Sequence, residues 1–325
     1  MSDLSKLERR VKNVLLPYPL MVGGGVFKTV EELVAVADTD VIPEWGSIET
    51  VQSDGNGGDD YSAVYGPNGD LIYTRNRRGI PNPGMAYVEQ HAGDLIKRYA
   101  DRGKPLTLNV SGKGSEDKNA VNDLLTLMKR GIDCGFPIIT ANGACPNKAG
   151  QPILCWDIEG TTELFQRMEE EIGSVDPAIL WKVSVGMDQS LLSFNLGCVA
   201  GSNVVSGIIT GNTVINTFDC DSEGKPTILT TKDKATRGGM GGPAILPMAL
   251  GDTQFCVDNM PKDKVVVGGG GAVSVETVMK FIHTGATIVQ TTSGYIEADK
   301  TFDPHSRHKG PDYFTGLLAG IEARA

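Results

Sequence analysis

The chain has 325 residues, of which 40% are hydrophobic, and a net charge of −10. That length and apolar share suit one large α/β domain with insertions, and the lack of long charged or low-complexity runs excludes a disordered chain. The acidic balance argues against nucleic acid, which needs clustered Lys and Arg, and no apolar stretch approaches the roughly 20 residues of a membrane span.

Residues 1–16 read as a charged amphipathic helix, not as a signal peptide, so a cytoplasmic protein is expected. A strand at 19–24 and a helix at 30–37 follow, then a strand at 40–43. Residues 48–83 interrupt the pattern as a Gly-, Asp- and Asn-rich insertion. It holds a hairpin signal, Pro67-Asn68-Gly69-Asp70, between the short runs 63–65 and 71–73. The alternation resumes with a helix at 85–102, a strand at 106–111, a helix at 117–134 and a strand at 137–141. Next come a helix at 160–171, a strand at 179–185, a helix at 188–200 and a strand at 204–210. A second insertion, 212–242, carries a hairpin around 221–225. The chain closes with a helix at 243–257, a strand at 264–268, a helix at 273–283, a strand at 287–291 and a helix at 311–323. Strands alternating with helices imply a parallel sheet, and eight of them favour a single (β/α)8 barrel of the TIM type over 1–325. An open doubly wound sheet gives a similar string. In a barrel both insertions follow a strand and lie on the C-terminal face, where active sites are built.

The chemistry-bearing residues cluster at strand ends. Val265–Val273 is a buried strand running into four glycines, Gly268 to Gly271, before a helix. Without side chains, backbone N–H groups can approach an anion closely. The next strand ends in Thr291-Thr292-Ser293-Gly294. Two consecutive late strands ending this way make a phosphate site of a barrel. A third cluster, Gly238 to Gly242, lines either the same phosphate or a flat ring. The segment Asn142-Gly143-Ala144-Cys145-Pro146-Asn147 presents two amides and a thiol just past a strand, a set suited to holding a planar polar ligand and moving one proton. Lys182 stands in the strand Leu180-Trp181-Lys182-Val183. A buried lysine there serves either electron-rich cofactor atoms or a core carboxylate. The six cysteines form no C-x2-C pair, so no metal site is expected, and the four histidines show no ligand spacing.

At this point the chain resembles the class 1 dihydroorotate dehydrogenases. Asn142-Gly-Ala-Cys-Pro-Asn147 is similar to that family's Asn-x-Ser-Cys-Pro-Asn. Asn76-Arg-Arg-Gly-Ile-Pro-Asn82 is similar to its Asn-Ser-Met-Gly-Leu-Pro-Asn loop, with Gly84 following. Lys182 matches the strand lysine, Gly238–Gly242 the Gly-Gly-Ile-Gly-Gly run, Gly268–Gly271 the Gly-Thr-Gly-Gly turn, and Gln290–Ser293 the Gln-Ile-Gly-Thr segment. The resemblance implies an FMN barrel that oxidises dihydroorotate to orotate in pyrimidine synthesis. Cys145 would be the general base while hydride passes to flavin N5, and Lys182 would act beside the ring. Asn76, Gly79, Ile80, Asn142 and Asn147 would hold the substrate. Gly24, Asn109, Asn142 and Lys182 would face the flavin ring, and Gly241, Gly242, Gly269, Gly270, Gly271, Thr292 and Ser293 the phosphate end. A homodimer with fumarate as acceptor is implied as well, and no cysteine cluster suggests an iron–sulfur path.

There are departures from the pattern. An ungapped match puts Glu44 where the family has a lysine that touches flavin and substrate, and Trp45 where it has serine. A carboxylate there would repel a substrate carboxylate. Arg77 and Arg78 replace a Ser-Met pair and would supply compensating positive charge. Ala144 and Leu246 replace a serine and a lysine. The family's Asn after strand six falls at Asn212 or Asn216 only with a shift. These departures leave three alternatives open: a paralogue acting on another dihydropyrimidine-like substrate, a tRNA dihydrouridine reductase that the charge of −10 opposes, and a flavin-binding protein without catalysis.

Overall fold

Eight strands, most of them rich in Val, Ile and Leu, pair in parallel and close on themselves in chain order. They are β1 (Leu20–Phe27), β2 (Pro43–Ile48), β3 (Thr107–Val110), β4 (Ile138–Asn142), β5 (Ala178–Lys182), β6 (Val205–Ile209), β7 (Val265–Gly269) and β8 (Ile288–Thr291). The computed structural model describes residues 7–112, 119–145, 153–226, 230–231, 236–298 and 309–324. Helices return the chain between strands: α1 (Val30–Val36), α2 (Met85–Ala100), α3 (Ala120–Asp133), α4 (Ile158–Glu171), α5 (Gln189–Gly201), α6 (Leu246–Asn259) and α7 (Val275–His283). A short α8 (Ser293–Glu297) and then α9 (Lys309–Glu322) follow β8. The molecule is thus a (β/α)8 barrel, as the alternation predicts.

Local chemistry explains the helix starts. Thr29 and Glu32 cap α1 reciprocally, and Asn119, Asp157, Asp188 and Ser274 accept amide hydrogens at the starts of α3, α4, α5 and α7. Each such cap satisfies a backbone donor that the helix itself leaves unpaired, worth about 1 kcal/mol. The strands are covered on both faces, which is why they read as continuous apolar runs. Phe136, Phe281, Tyr99 and Phe314 are fully buried in the core that strands and helices share.

Three sequence expectations need correction. The N-terminal amphipathic helix is instead an antiparallel hairpin, Arg9–Val11 against Val14–Leu16. Val11 and Leu16 are buried while Arg10 and Leu15 are exposed, an alternation of period two that a helix would split between faces. The second barrel strand begins at Pro43, where the expected strand ended, because Glu44 and Gly46 disguise a segment buried along its whole length. Pro is tolerated as its first residue, where no ladder donor is needed. Lastly, Lys182 is the final residue of β5 and not a mid-strand residue.

Both insertions lie over the C-terminal mouth and merge into one sheet. Val214–Thr217, Gly238–Gly241, Leu71–Asn76 and Tyr61–Tyr65 pair in that order. The turn of the first hairpin closes through Gly69, at φ 80°, and the second hairpin closes through Asp221 N–H to the Lys225 carbonyl at 2.9 Å. The third glycine cluster is therefore a strand. A Cβ at Gly239 would collide with the Thr213 side chain, so glycine is what lets the second insertion fold back on itself.

Candidate active site

A cavity lies between the C-terminal ends of the barrel strands and this roof. At one end it is walled by backbone. Gly269 ends β7, and Gly270 and Gly271 follow at φ 103° and 87°, a region closed to most side chains. A Cβ on Gly271 would stand 2.9 Å from Leu246 Cβ, and one on Gly23 would stand 2.8 Å from Thr292 Oγ1. Gly241 and Gly242 descend from the roof onto the same end, and Thr292 and Ser293 come up after β8. The Ser293 hydroxyl is tied to Thr74 Oγ1 at 3.0 Å. Bare amides with small hydroxyls fit a phosphate group.

The middle of the cavity rests on a buried polar layer inside the barrel. Lys182 Nζ donates to Gln290 Oε1 at 3.2 Å. Burial holds the Lys182 pKa below the ordinary lysine value, and the Glu44 carboxylate opposes that fall. Glu44 is fully buried and accepts four hydrogen bonds: from Gly24 N–H at 2.5 Å, Asn109 Nδ2 at 3.0 Å, Thr140 Oγ1 at 2.6 Å and Gln290 Nε2 at 3.4 Å. Trp45, next in the strand, points the other way. Its indole donates to the Lys28 carbonyl at 3.0 Å and packs edge-on against Tyr87 and Phe136. Neither Glu44 nor Trp45 lines the cavity. Their occurrence at the positions of the family's lysine and serine therefore does not place a carboxylate or an indole against a substrate.

The far end is where the thiol stands. Cys145, partly exposed, is the one cysteine among the described residues that lines the cavity. Asn142 ends β4 and turns the chain toward it: its Oδ1 accepts from Ala144 N–H at 3.1 Å, and its Nδ2 donates to Ser47 Oγ at 3.1 Å. Asn212, after β6, braces the same turn through the Ala144 carbonyl at 3.1 Å. Asn212 thus occupies the cavity wall, whereas Asn216 lies exposed in the roof sheet. Gly143 must be glycine, since a Cβ would overlap the Trp181 ring. By contrast Cys155 and Cys256 are buried, which pushes their thiols up to about 11 and about 12, and a thiol so raised is a poor nucleophile or base.

Of the residues singled out from sequence, Gly24, Asn76, Ile80, Asn142, Cys145, Lys182, Gly241, Gly242, Gly269, Gly270, Gly271, Thr292 and Ser293 come together on this wall. Asn109 and Gly79 do not reach it. Asn109 is buried beneath, bound to Glu44, and Gly79, at φ 69°, makes room for Asn56. Asn147 lies outside the described residues. Sequence reasoning missed Lys28, Ser47, Tyr61 and Thr74, all on the wall. Lys28 precedes the helix cap Thr29 and reads as an ordinary surface lysine. Ser47 reaches the cavity only because the pairing of β2 with β3 shifts register between Trp45 and Ile48.

The family model for dihydroorotate dehydrogenase matches residues 6–305. The chain is similar to the dihydroorotate dehydrogenase (fumarate) of Trypanosoma cruzi, 27% identical over 92% of this chain and 87% of that one. It is also similar to the dihydroorotate dehydrogenase (fumarate) of Saccharomyces mikatae, 27% identical over 84% and 82%. To the dihydroorotate dehydrogenase A (fumarate) of Lactococcus lactis subsp. cremoris MG1363 it is 25% identical over 70% of each. Among the described residues no helix is long and apolar enough to cross a membrane.

Proposed function

The chain belongs to the dihydroorotate dehydrogenase family, a family of flavoproteins, and we propose that it is an FMN-dependent oxidoreductase converting dihydroorotate to orotate. The observation that carries this reading is a single cavity with a glycine-walled anion cradle at one end and Cys145 beside Asn142 at the other. Gly269, Gly270, Gly271, Gly241, Gly242, Thr292 and Ser293 would hold the phosphate of FMN, and Lys182, Gln290, Gly24 and Asn142 its ring. Bound there, FMN supplies the hydride acceptor.

The chain's own residues do the rest. Cys145 takes the proton from one substrate carbon as the hydride leaves its neighbour, so the C–C single bond becomes double. Asn142, fixed by Ser47 and by the Ala144 amide, presents its side chain to the substrate ring with Asn76 and Ile80. Lys182, aimed by Gln290, places a positive group where negative charge grows. Asn212 holds the turn on which Cys145 rides. We place Asn109 and Gly79 behind the wall, supporting it. Fumarate is the acceptor we assign, as it appears in the relatives' names, and we take the working form to be a cytoplasmic homodimer in which each chain, residues 1–325, is one flavin-binding unit. Glu44 is buried beneath the cavity wall and Trp45 lies in the helix layer, so neither reaches the cavity, which favours catalysis over a flavin-binding protein that has lost it.

The test is anaerobic titration of the purified flavoprotein with dihydroorotate. Stoichiometric bleaching of the flavin absorption, reversed by fumarate, is the expected result. Bound flavin that dihydroorotate leaves fully coloured refutes the reading.

A further inference from the structure

The wall of the cavity carries a charge that neither the glycine cradle nor Cys145 accounts for. Lys28 and Arg78 both line it at the end that holds Cys145 and Ser47. Lys28 lies just past β1, and its ammonium donates to the Ser47 carbonyl at 3.0 Å. Arg78 comes from the loop after the roof hairpin and donates through Nη1 to the Gly25 carbonyl at 3.2 Å. Both cations are therefore pinned to the same edge of the mouth, by carbonyl oxygens. Arg78 Nε is buried and has no hydrogen-bond acceptor; the nearest carboxylate oxygen, on Asp60, stands 3.8 Å away. The described residues lining the cavity include three cations, Lys28, Arg78 and Lys182, and no Asp or Glu. In a chain of net charge −10 this is a local reversal of sign. Glu44 lies beneath the wall, its oxygens held by four neutral donors inside the barrel, so its charge is felt at Lys28 without a carboxylate oxygen reaching the cavity.

Resting on the dihydroorotate reading above, we propose that Lys28 and Arg78 together form the subsite for the carboxylate of the substrate, so that the enzyme selects an anionic ring over its neutral counterpart. The chemistry suits the pair. Arg78 offers a planar donor fork with an unused N–H, and Lys28 offers a compact ammonium with two further N–H groups. Two like charges at one edge repel, and an anion between them relieves that repulsion. Burial and the neighbouring Arg78 hold Lys28 down to about 7, against the opposing pull of Cys145, Glu32 and Glu44. A Lys28 in that range is protonated, and so useful to a carboxylate, below about pH 7 and is lost to it as pH rises. Bound carboxylate raises the lysine's own affinity for its proton, by linkage. The charge that a lysine on β2 would bring is here delivered from the adjacent strand end.

Binding of orotate and of uracil, which lacks the carboxylate, tests this. Affinities are read by flavin spectral perturbation and calorimetry on the flavin-loaded protein, with KM and kcat for dihydroorotate alongside. Lys28→Met and Arg78→Gln should each weaken orotate at least tenfold and raise the KM for dihydroorotate, leaving uracil affinity within twofold and flavin content unchanged. Lys28→Arg should restore most of the loss. Orotate affinity of the parent protein should decline above about pH 7, and Lys28→Met should flatten that decline. Orotate and uracil weakened alike, or orotate bound as before by both variants, overturns the subsite. If the parent protein binds orotate through these residues yet its flavin is not reduced by dihydroorotate, the proposed reaction fails while the subsite stands. If dihydroorotate reduces the flavin but neither variant alters KM, the reverse holds.

Discussion

The substitution Glu44→Lys separates the sequence register from the structure. Lined up without gaps, the change restores the family's lysine and should improve turnover of dihydroorotate. The structure predicts the opposite. The Glu44 carboxylate is fully buried and gathers four donors, and it is the group that opposes the fall of the Lys182 pKa. A lysine there has no acceptor to offer those donors and sets a second ammonium near the first. Removing one partner from a buried charged set costs about 3–5 kcal/mol, a large part of a typical folding free energy of about 5–15 kcal/mol. The apparent Tm of a chain this long should then fall by about 4–7 °C. Differential scanning fluorimetry with flavin release as a second probe measures it. Glu44→Gln is the milder control: it keeps the shape but turns one oxygen into a donor facing donors, costing about 1–3 kcal/mol. It also removes the charge that supports Lys182, whose pKa then sinks further below the unfolded value. A lysine lowered on folding costs stability as pH falls below the ordinary lysine range, so the gap between Glu44→Gln and the parent should widen once pH falls below the parent's own lowered Lys182 pKa. A Glu44→Lys protein that melts within 2 °C of the parent and oxidises dihydroorotate faster would refute the buried cage.

Three further predictions concern the wall. Cys145→Ala should retain FMN and bind orotate but lose reduction by dihydroorotate in stopped-flow traces by at least about a hundredfold, the scale of general base catalysis; an unchanged rate shows that another group takes the proton. Asn212→Ala removes the amide that braces the Cys145 turn at the Ala144 carbonyl, 3.1 Å away. Steady-state kinetics should show kcat down roughly ten- to a hundredfold with flavin content intact. Gly271→Ala forces a side chain into φ 87° and against Leu246, so flavin affinity, measured by fluorescence on dilution, should weaken roughly ten- to a hundredfold, about 1.4–2.8 kcal/mol.

The barrel was legible because its signals are local. Val265–Gly269 and Ile288–Thr291 announce themselves by β-branched runs, and the caps at Thr29, Asn119, Asp157, Asp188 and Ser274 by residue type. The place of the glycine run at the mouth of the barrel was legible for the same reason, since four adjacent glycines, two ending β7 and two following it, stand out in the sequence. The N-terminal hairpin was not. Residues 9–16 alternate in burial over three-residue strands too short to stand out from a helical pattern, and only the tertiary context that buries Val11 and Leu16 decides between them.

The charges at the site were hidden by a different cause, and it is instructive about how ligand contacts are read from alignments. Which face a strand residue occupies has period two, so a single irregularity inverts the assignment for everything beyond it. In β2 the pairing with β3 slips between Trp45 and Ile48. Glu44 points into the barrel, Trp45 into the helix layer, and Ser47 into the cavity. The slip lies beyond Glu44 and so changes the face that Ser47 takes; Glu44 itself is kept from the cavity by the four donors that hold its carboxylate inside the barrel. The positive charge instead comes from Lys28 and Arg78, which are 50 positions apart in sequence and are brought to one edge by the carbonyls of Ser47 and Gly25. A carboxylate subsite can thus keep its place and sign while its residues move to a different strand end, provided the displaced position acquires enough donors to bury what replaces the lysine. Glu44 with its four donors meets that condition, so the two changes are physically coupled. Reverting Glu44 alone should therefore fail, whereas losing Lys28 or Arg78 should expose the dependence on the carboxylate.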